Sequence, residues 1–191
     1  MFERFTASAR QVVREAVAHA ELAGRGSVGE GELLLALLDR TGSPGADVLT
    51  ALGLRERRAS VEAALHRAHR RGGISASDAE ALAGLGIDVE EIVARVEREH
   101  GAGALAAAGA PGPKEKRRGR LRRPYFTPEA KSVVERSLRV ALGRGDKYIG
   151  DEHLLIALLG RPGLAASVLA EHGVQQADVL RVLAERQAEA G

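Results

Sequence analysis

The chain has 191 residues, 45% of them hydrophobic, only 3% aromatic, and none a cysteine; its net charge is +2. This suffices for one ordinary domain or two small ones whose core is Leu, Val and Ala packed on itself, and it excludes a disulfide framework and thiolate chemistry. No window reaches the apolar length of a membrane span, and the charged opening "MFERFTASAR" is not a secretory signal, so a cytoplasmic location is expected.

In chain order the segments read as helices, because apolar residues recur at three- and four-residue spacing and no long alternating run argues for strands. The first helix is capped by Thr6 in "FTASARQVV". "GELLLALL" is apolar nearly all round, which suits a helix buried on several sides. "VLTALGL" belongs to a third helix and "LRERRASVEAALHRAHRRGG" to a fourth. A helical hairpin is expected next, with Ser77 capping "DAEALAGL" and Asp88 capping "VEEIVARVEREH". "GAGALAAAGAPGPKEKRRGRLRRP" then reads as a flexible linker. Its end, residues 114–123, holds seven basic residues and one acid, a net of +6, which leaves about −4 for the rest of the chain.

After the linker the pattern starts again. A shift of 121 positions lays residues 5–40 on 126–161 with 14 of 36 identical, and after one deletion "VLTALGL" falls on "VLAEHGV". This is a tandem repeat of four helices per unit. In the second unit Thr127 is the N-cap and Pro128 follows at the first helical position, with Glu129 beside the helix dipole. Gly143 and Gly145 are expected to end that helix, Asp151 to cap the central helix "DEHLLIALLG", and Gly173 to close the third. The units divide the chain into 1–72, an inserted 73–123, and 124–191.

The paired motifs "MFERFTASARQVV", "GELLLALL", "VLTALGL" and "YFTPEAKSVV", "YIGDEHLLIALL", "VLAEHGV" resemble the two repeats of a Clp N-terminal domain, the helical module of Clp-type AAA+ unfoldases, and most closely the ClpC kind. The resemblance covers residues 1–70 and 124–188. It implies an all-α, pseudo-twofold bundle of eight helices that receives substrates, adaptor proteins or a Clp unfoldase. The chain lacks a G-x-x-x-x-G-K-[ST] phosphate loop and ends after the second repeat, so the expectation is a stand-alone recognition module with no cofactor and no enzymatic activity.

The resemblance also implies sites. In ClpC-type domains the acid of the turn before the central helix, with the Thr of "F-T", is associated with phosphorylated arginine. Glu152, Thr6 and Thr127 match these positions, whereas Gly31 stands where the first repeat should carry its acid, between Glu30 and Glu32. A carboxylate there would pair with the guanidinium while hydroxyls and helix N–H groups take the phosphate. The same residues have a plainer reading as helix caps and a dipole-stabilising acid. A second surface, where cyclic peptide antibiotics bind the family module, is matched by Phe2, Arg10, Val13, Phe126, Lys131 and Glu135; Arg14 and Val17 depart from it. In the plainer reading Phe2 and Phe126 lock the first helices together.

Other features weigh less. The basic tract offers an alternative reading as a nucleic-acid contact, but it lacks the aromatic residues that stack on bases, and a solvated spacer is the expected role. His66 and His69 have the spacing of a metal pair, yet their surroundings are cationic and supply no further ligands. No nucleophile–base constellation is readable from spacing.

Overall fold

The computed structural model describes residues 2–108 and 124–189. After a 3-10 turn, Phe2–Arg4, come α1 (Ala7–Leu22), β1 (Ser27–Val28), α2 (Glu30–Leu38), α3 (Pro44–Ala51) and α4 (Arg58–Arg70). The second repeat contributes β2 (Tyr125–Phe126), α8 (Pro128–Arg144), α9 (Asp151–Leu159), α10 (Leu164–Glu171) and α11 (Gln176–Glu189). Between them lie α5 (Ala76–Gly84), α6 (Val89–His100) and α7 (Ala104–Ala108). The all-α, two-repeat architecture with an inserted hairpin is as expected.

The central helices α2 and α9 form the middle of the core. Every residue of α2 is buried, and all of α9 except Glu152. Such helices have no polar face, so they must be covered on all sides, and each repeat covers the other's. α3 packs on α9, while α10 packs on α2; α11 packs on α3, while α4 packs on α10. This reciprocal packing is the pseudo-twofold relation expressed in contacts.

Short parallel pairings carry the same exchange. Val28 pairs with Phe126, and Phe5 with Ile149, which are corresponding positions of the two repeats. The Thr6 N–H donates to the Ile149 carbonyl (2.9 Å) and the Thr127 N–H to that of Val28 (3.0 Å). The start of each repeat's first helix is therefore tied to the turn before the other repeat's central helix.

Several local expectations are corrected. α8 runs through Gly143 to Arg144, and Gly145, with φ +78°, ends it. Ser75, not Ser77, caps α5: its hydroxyl accepts the Asp78 N–H (3.1 Å) and donates to the Asp78 carboxylate (2.7 Å). Gly150, not Asp151, is the N-cap of α9. Residues 104–108, read as linker, are helical and pack on α4 and α6. Asp88 caps α6 as expected, accepting the Glu91 N–H at 3.0 Å. The hairpin is held to the bundle by the ion pairs Arg70–Glu97 (2.8 Å) and Arg71–Glu90 (2.6 Å), and by the Ala76 N–H donating to Glu171 (3.0 Å). The basic tract 114–123 lies outside the described residues.

Candidate functional site

The first turns of α2 and α9 carry the triplets Glu30-Gly31-Glu32 and Asp151-Glu152-His153, and the three positions have different duties. The first residue of each triplet reaches into the other repeat. Asp151 accepts a hydrogen bond from the Ser43 hydroxyl (2.5 Å), at the N-cap of α3. Glu30 accepts the Ala165 N–H (3.3 Å) at the start of α10. Glu30 thus supplies an acceptor to the start of α10, whereas Asp151 holds the hydroxyl of the residue that precedes α3. At Gly163, the N-cap of α10, a Cβ would fall 2.5 Å from the Glu30 carboxylate. Burial pushes the Glu30 carboxyl above the ordinary carboxylate range, although the Ala165 N–H and Arg161 pull it down.

The third residue closes the cap of its own helix, with a carboxylate in the first repeat and an imidazole in the second. Glu32 accepts the Gly29 N–H (2.7 Å) and is gripped by Arg25. His153 accepts the Gly150 N–H on Nδ1 (2.9 Å), which leaves Nε2 to donate to Asp146 (2.8 Å). Arg25 and Asp146 occupy corresponding positions, as do Glu32 and His153. The pair has been inverted as a unit.

Only the middle position is free of such duties. In the first repeat it is Gly31, where a Cβ would already touch the Leu65 side chain at 3.4 Å. In the second it is Glu152. Its Oε1 lies 3.1 Å from His153 Nδ1, and its Oε2 is buried without a hydrogen-bond partner. Burial raises the Glu152 carboxyl, and the neighbouring Asp151 carboxyl adds to the rise. Glu152 is a wall of a cleft of about 250 Å³ whose other walls include Asp47 of α3, Arg144 of α8, and Leu183 and Arg186 of α11. Arg186 pairs with Asp47 at 2.8 Å, and Arg144 Nε is buried without a hydrogen-bond partner. These walls were not legible beforehand, since Asp47 and Arg186 are 139 positions apart and no local pattern links them.

Thr6 and Thr127 are both N-caps, accepting the Ala9 N–H (3.1 Å) and the Ala130 N–H (3.2 Å). Their backbone bonds place Thr6 beside the Glu152 turn and Thr127 beside the Gly31 turn, so the threonine next to the retained acid belongs to the other repeat. Neither lines the cleft.

The second predicted surface is distributed over two helices. Arg10 is exposed on α1 with Val13 half-buried a turn later, and Lys131 and Glu135 are exposed one turn apart on α8. Phe126 is half-buried against the core. The side chains of Arg10, Lys131 and Glu135 have no hydrogen-bond or ion-pair partner among the described residues, so they face solvent without an internal role. Of the departures, Arg14 is exposed and bonded to Gln11 (3.0 Å), and Val17 packs on the core. Phe2 opens the 3-10 turn. Of the predicted metal pair, His66 is exposed and His69 half-buried, the latter lowered in pKa by burial and the nearby Arg25. Among the described residues no three His, Asp or Glu gather as a metal site.

Comparison with known proteins agrees with this layout. Residues 125–190 match the family described as "Clp repeat (R) N-terminal domain". Chaperone protein ClpC1, chloroplastic, of Arabidopsis thaliana is 32% identical over 180 residues, covering 94% of this chain and 14% of its own length. The chloroplastic ClpA homolog of Brassica napus, an ATP-dependent Clp protease ATP-binding subunit, is also 32% identical, over 94% of this chain and 15% of its own length. The chain belongs to the Clp N-terminal domain family. It spans only about one-seventh of the length of these curated relatives. Its fold matches the crystal structure of the N-terminal domain of the chaperone ClpD from Arabidopsis thaliana, with a TM-score of 0.52 over 98% of this chain and 97% of that one, at 18% identity. No single described helix is long and apolar enough to cross a membrane.

Proposed function

We propose that this Clp N-terminal domain is a non-catalytic recognition module that binds peptides, degradation tags or adaptor proteins, and so modulates Clp-dependent proteolysis. The observation that carries the reading is the division of labour in the two triplets. Five of the six residues are committed to capping, to a hydrogen bond between the repeats or to close packing. Asp151 Oδ1 is also buried without a partner, but of the six residues only Glu152 lines the cleft, where its Oε2 is unsatisfied. A buried, partnerless acceptor is costly in a structure and gains by receiving a donor from outside. A guanidinium is the fitting donor, because its planar fork matches a carboxylate.

A phosphorylated arginine would set its guanidinium against Glu152 and its phosphoryl group toward Arg144, while Thr6, outside the cleft, supports the Glu152 turn through its backbone bond to Ile149. The first repeat, with Gly31 under Leu65, offers no counterpart, so one ligand binds per chain. The exposed Arg10, Lys131 and Glu135, with Val13, Phe126 and Phe2, form the second surface of this reading, for adaptors or cyclic peptides.

The test is calorimetric titration of the whole chain with a phosphoarginine peptide. A stoichiometry of one is expected, with affinity falling tenfold or more in Glu152→Ala, as for loss of a charge-assisted bond of about 2 kcal/mol. Unchanged affinity in that variant would remove Glu152 from the reading.

A further inference from the structure

The hairpin α5–α6 is the part of the molecule that the repeat plan does not account for. It is anchored along one side only. α5 has no fully buried residue, and α6 turns Val89 and Val93 inward. The free side is apolar at its tip: Leu85 is 78% exposed, Ile87 41% and Ile92 47%. Three large apolar side chains within eight residues, none of them used by the core, have an energetic reason to be covered.

The surroundings of the patch are acidic. Residues 76–100 hold seven acids against two arginines, a net of −5 with His100 neutral. Glu90, Glu97 and Glu91 are engaged by Arg71, Arg70 and Arg95. Glu80 and Glu99 have no side-chain partner among the described residues. Between the helices runs a shallow groove of about 390 Å³, with Ala79, Ala83, Gly86 and Val89 as its floor and Asp88 and Glu90 at its edge. Small residues on the floor admit a helix or extended chain at close range, and carboxylates at the edge set the sign of what enters.

We propose that the hairpin tip is a docking surface for a basic amphipathic helix of a partner protein. The partner's apolar stripe would cover Leu85, Ile87 and Ile92, and its Lys and Arg side chains would lie beside Asp88, Glu90 and Glu80. Charge decides the occupant. A second copy meeting this patch symmetrically would set acids against acids, and an anionic membrane would be repelled. The surface is separate from the Glu152 cleft, and its use does not depend on what that cleft binds.

The experiment uses the full chain and two synthetic 14-residue amphipathic helices, one of Leu and Lys and one of Leu and Glu, with binding read by fluorescence anisotropy. The Leu/Lys helix is expected to bind, and to bind at least tenfold more weakly to the double variant Leu85→Ser with Ile92→Ser. Both positions are exposed, so the variant keeps its fold, which circular dichroism checks. The control Leu142→Ser, on α8 and 58% exposed, should leave binding unchanged. The proposal is overturned if the double variant binds the Leu/Lys helix as tightly as the wild type, or if the Leu/Glu helix binds equally well. It is also overturned if the wild type sediments as a dimer that the double variant dissolves, since a second copy would then own the patch.

Discussion

Glu30 shows how much one side chain can be asked to do. It opens a central helix, crosses to the other repeat, and gives its acceptor to the start of α10 at the cost of being buried as a charge. Its raised pKa fixes the sign of a pH effect. Between the ordinary carboxylate value and the raised one, the folded chain holds a proton that the unfolded chain has released. Stability linked to Glu30 therefore falls as pH rises through that interval and returns on acidification. Glu30→Gln keeps an acceptor for the Ala165 N–H and removes the titration. Urea unfolding at pH 7 and pH 5 should show wild type gaining stability relative to Glu30→Gln as pH falls; a slope of the other sign would contradict this. Glu30→Ala, which leaves α10 without its acceptor, should cost about 1 kcal/mol at pH 7. Glu152 titrates in the same sense, which is why the comparison is between variants.

The caps show what could be read from an element's own residues. Thr6, Thr127 and Asp88 were legible, because a short acceptor before an apolar helical run satisfies N–H groups of its own helix. Ser75 was missed because Ser77 lies nearer the apolar run; the hydroxyl of Ser75 accepts the Asp78 N–H and donates to the Asp78 carboxylate, an exchange that no common motif announces. Asp151 was misread for a different reason. Locally it is a good N-cap, but Ser43, 108 positions away, recruits its carboxylate. The inverted pair Arg25–Glu32 and Asp146–His153 yields a prediction at this scale. Glu32→His alone leaves Arg25 against a group that no longer complements it, and Arg25→Asp alone sets two acids together. The double variant Arg25→Asp with Glu32→His rebuilds the second repeat's arrangement in the first. A double-mutant cycle read by chemical denaturation should give a favourable coupling of about 1 kcal/mol between the two changes. Additive losses would mean that the pair is not a unit.

At the scale of the whole molecule, the repeats are folded through each other. Each central helix is covered by the other repeat's third helix, each first helix is tied to the other's turn, and each first-turn acid is hydrogen-bonded at the start of the other's third helix. Neither repeat alone can bury its central helix, and a helix whose body is apolar all round is strongly unfavourable when left open to water. The expected outcome is one cooperative unfolding transition, coincident by circular dichroism and by tyrosine fluorescence, with Ser43→Ala and Glu30→Ala lowering the same transition. Two separable transitions would show that the repeats are independent units.

The sequence by itself determined the helical class, the two repeats, the family and the positions of the central helices. All of these follow from periodic burial and from short motifs whose partners lie within a turn or two of the chain. It also marked Glu152 and Gly31 as the unequal pair. What only the tertiary structure decided is the assignment of duties. Asp151 and Glu30 are bonded across the two repeats, Thr6 rather than Thr127 neighbours the Glu152 turn, and Asp47, Arg144 and Arg186 complete its cleft. The physical reason is range. A helix chooses its residues by contacts three or four positions away, whereas a buried carboxylate accepts whichever donor the fold brings within 3 Å, and sequence separation places no limit on that choice.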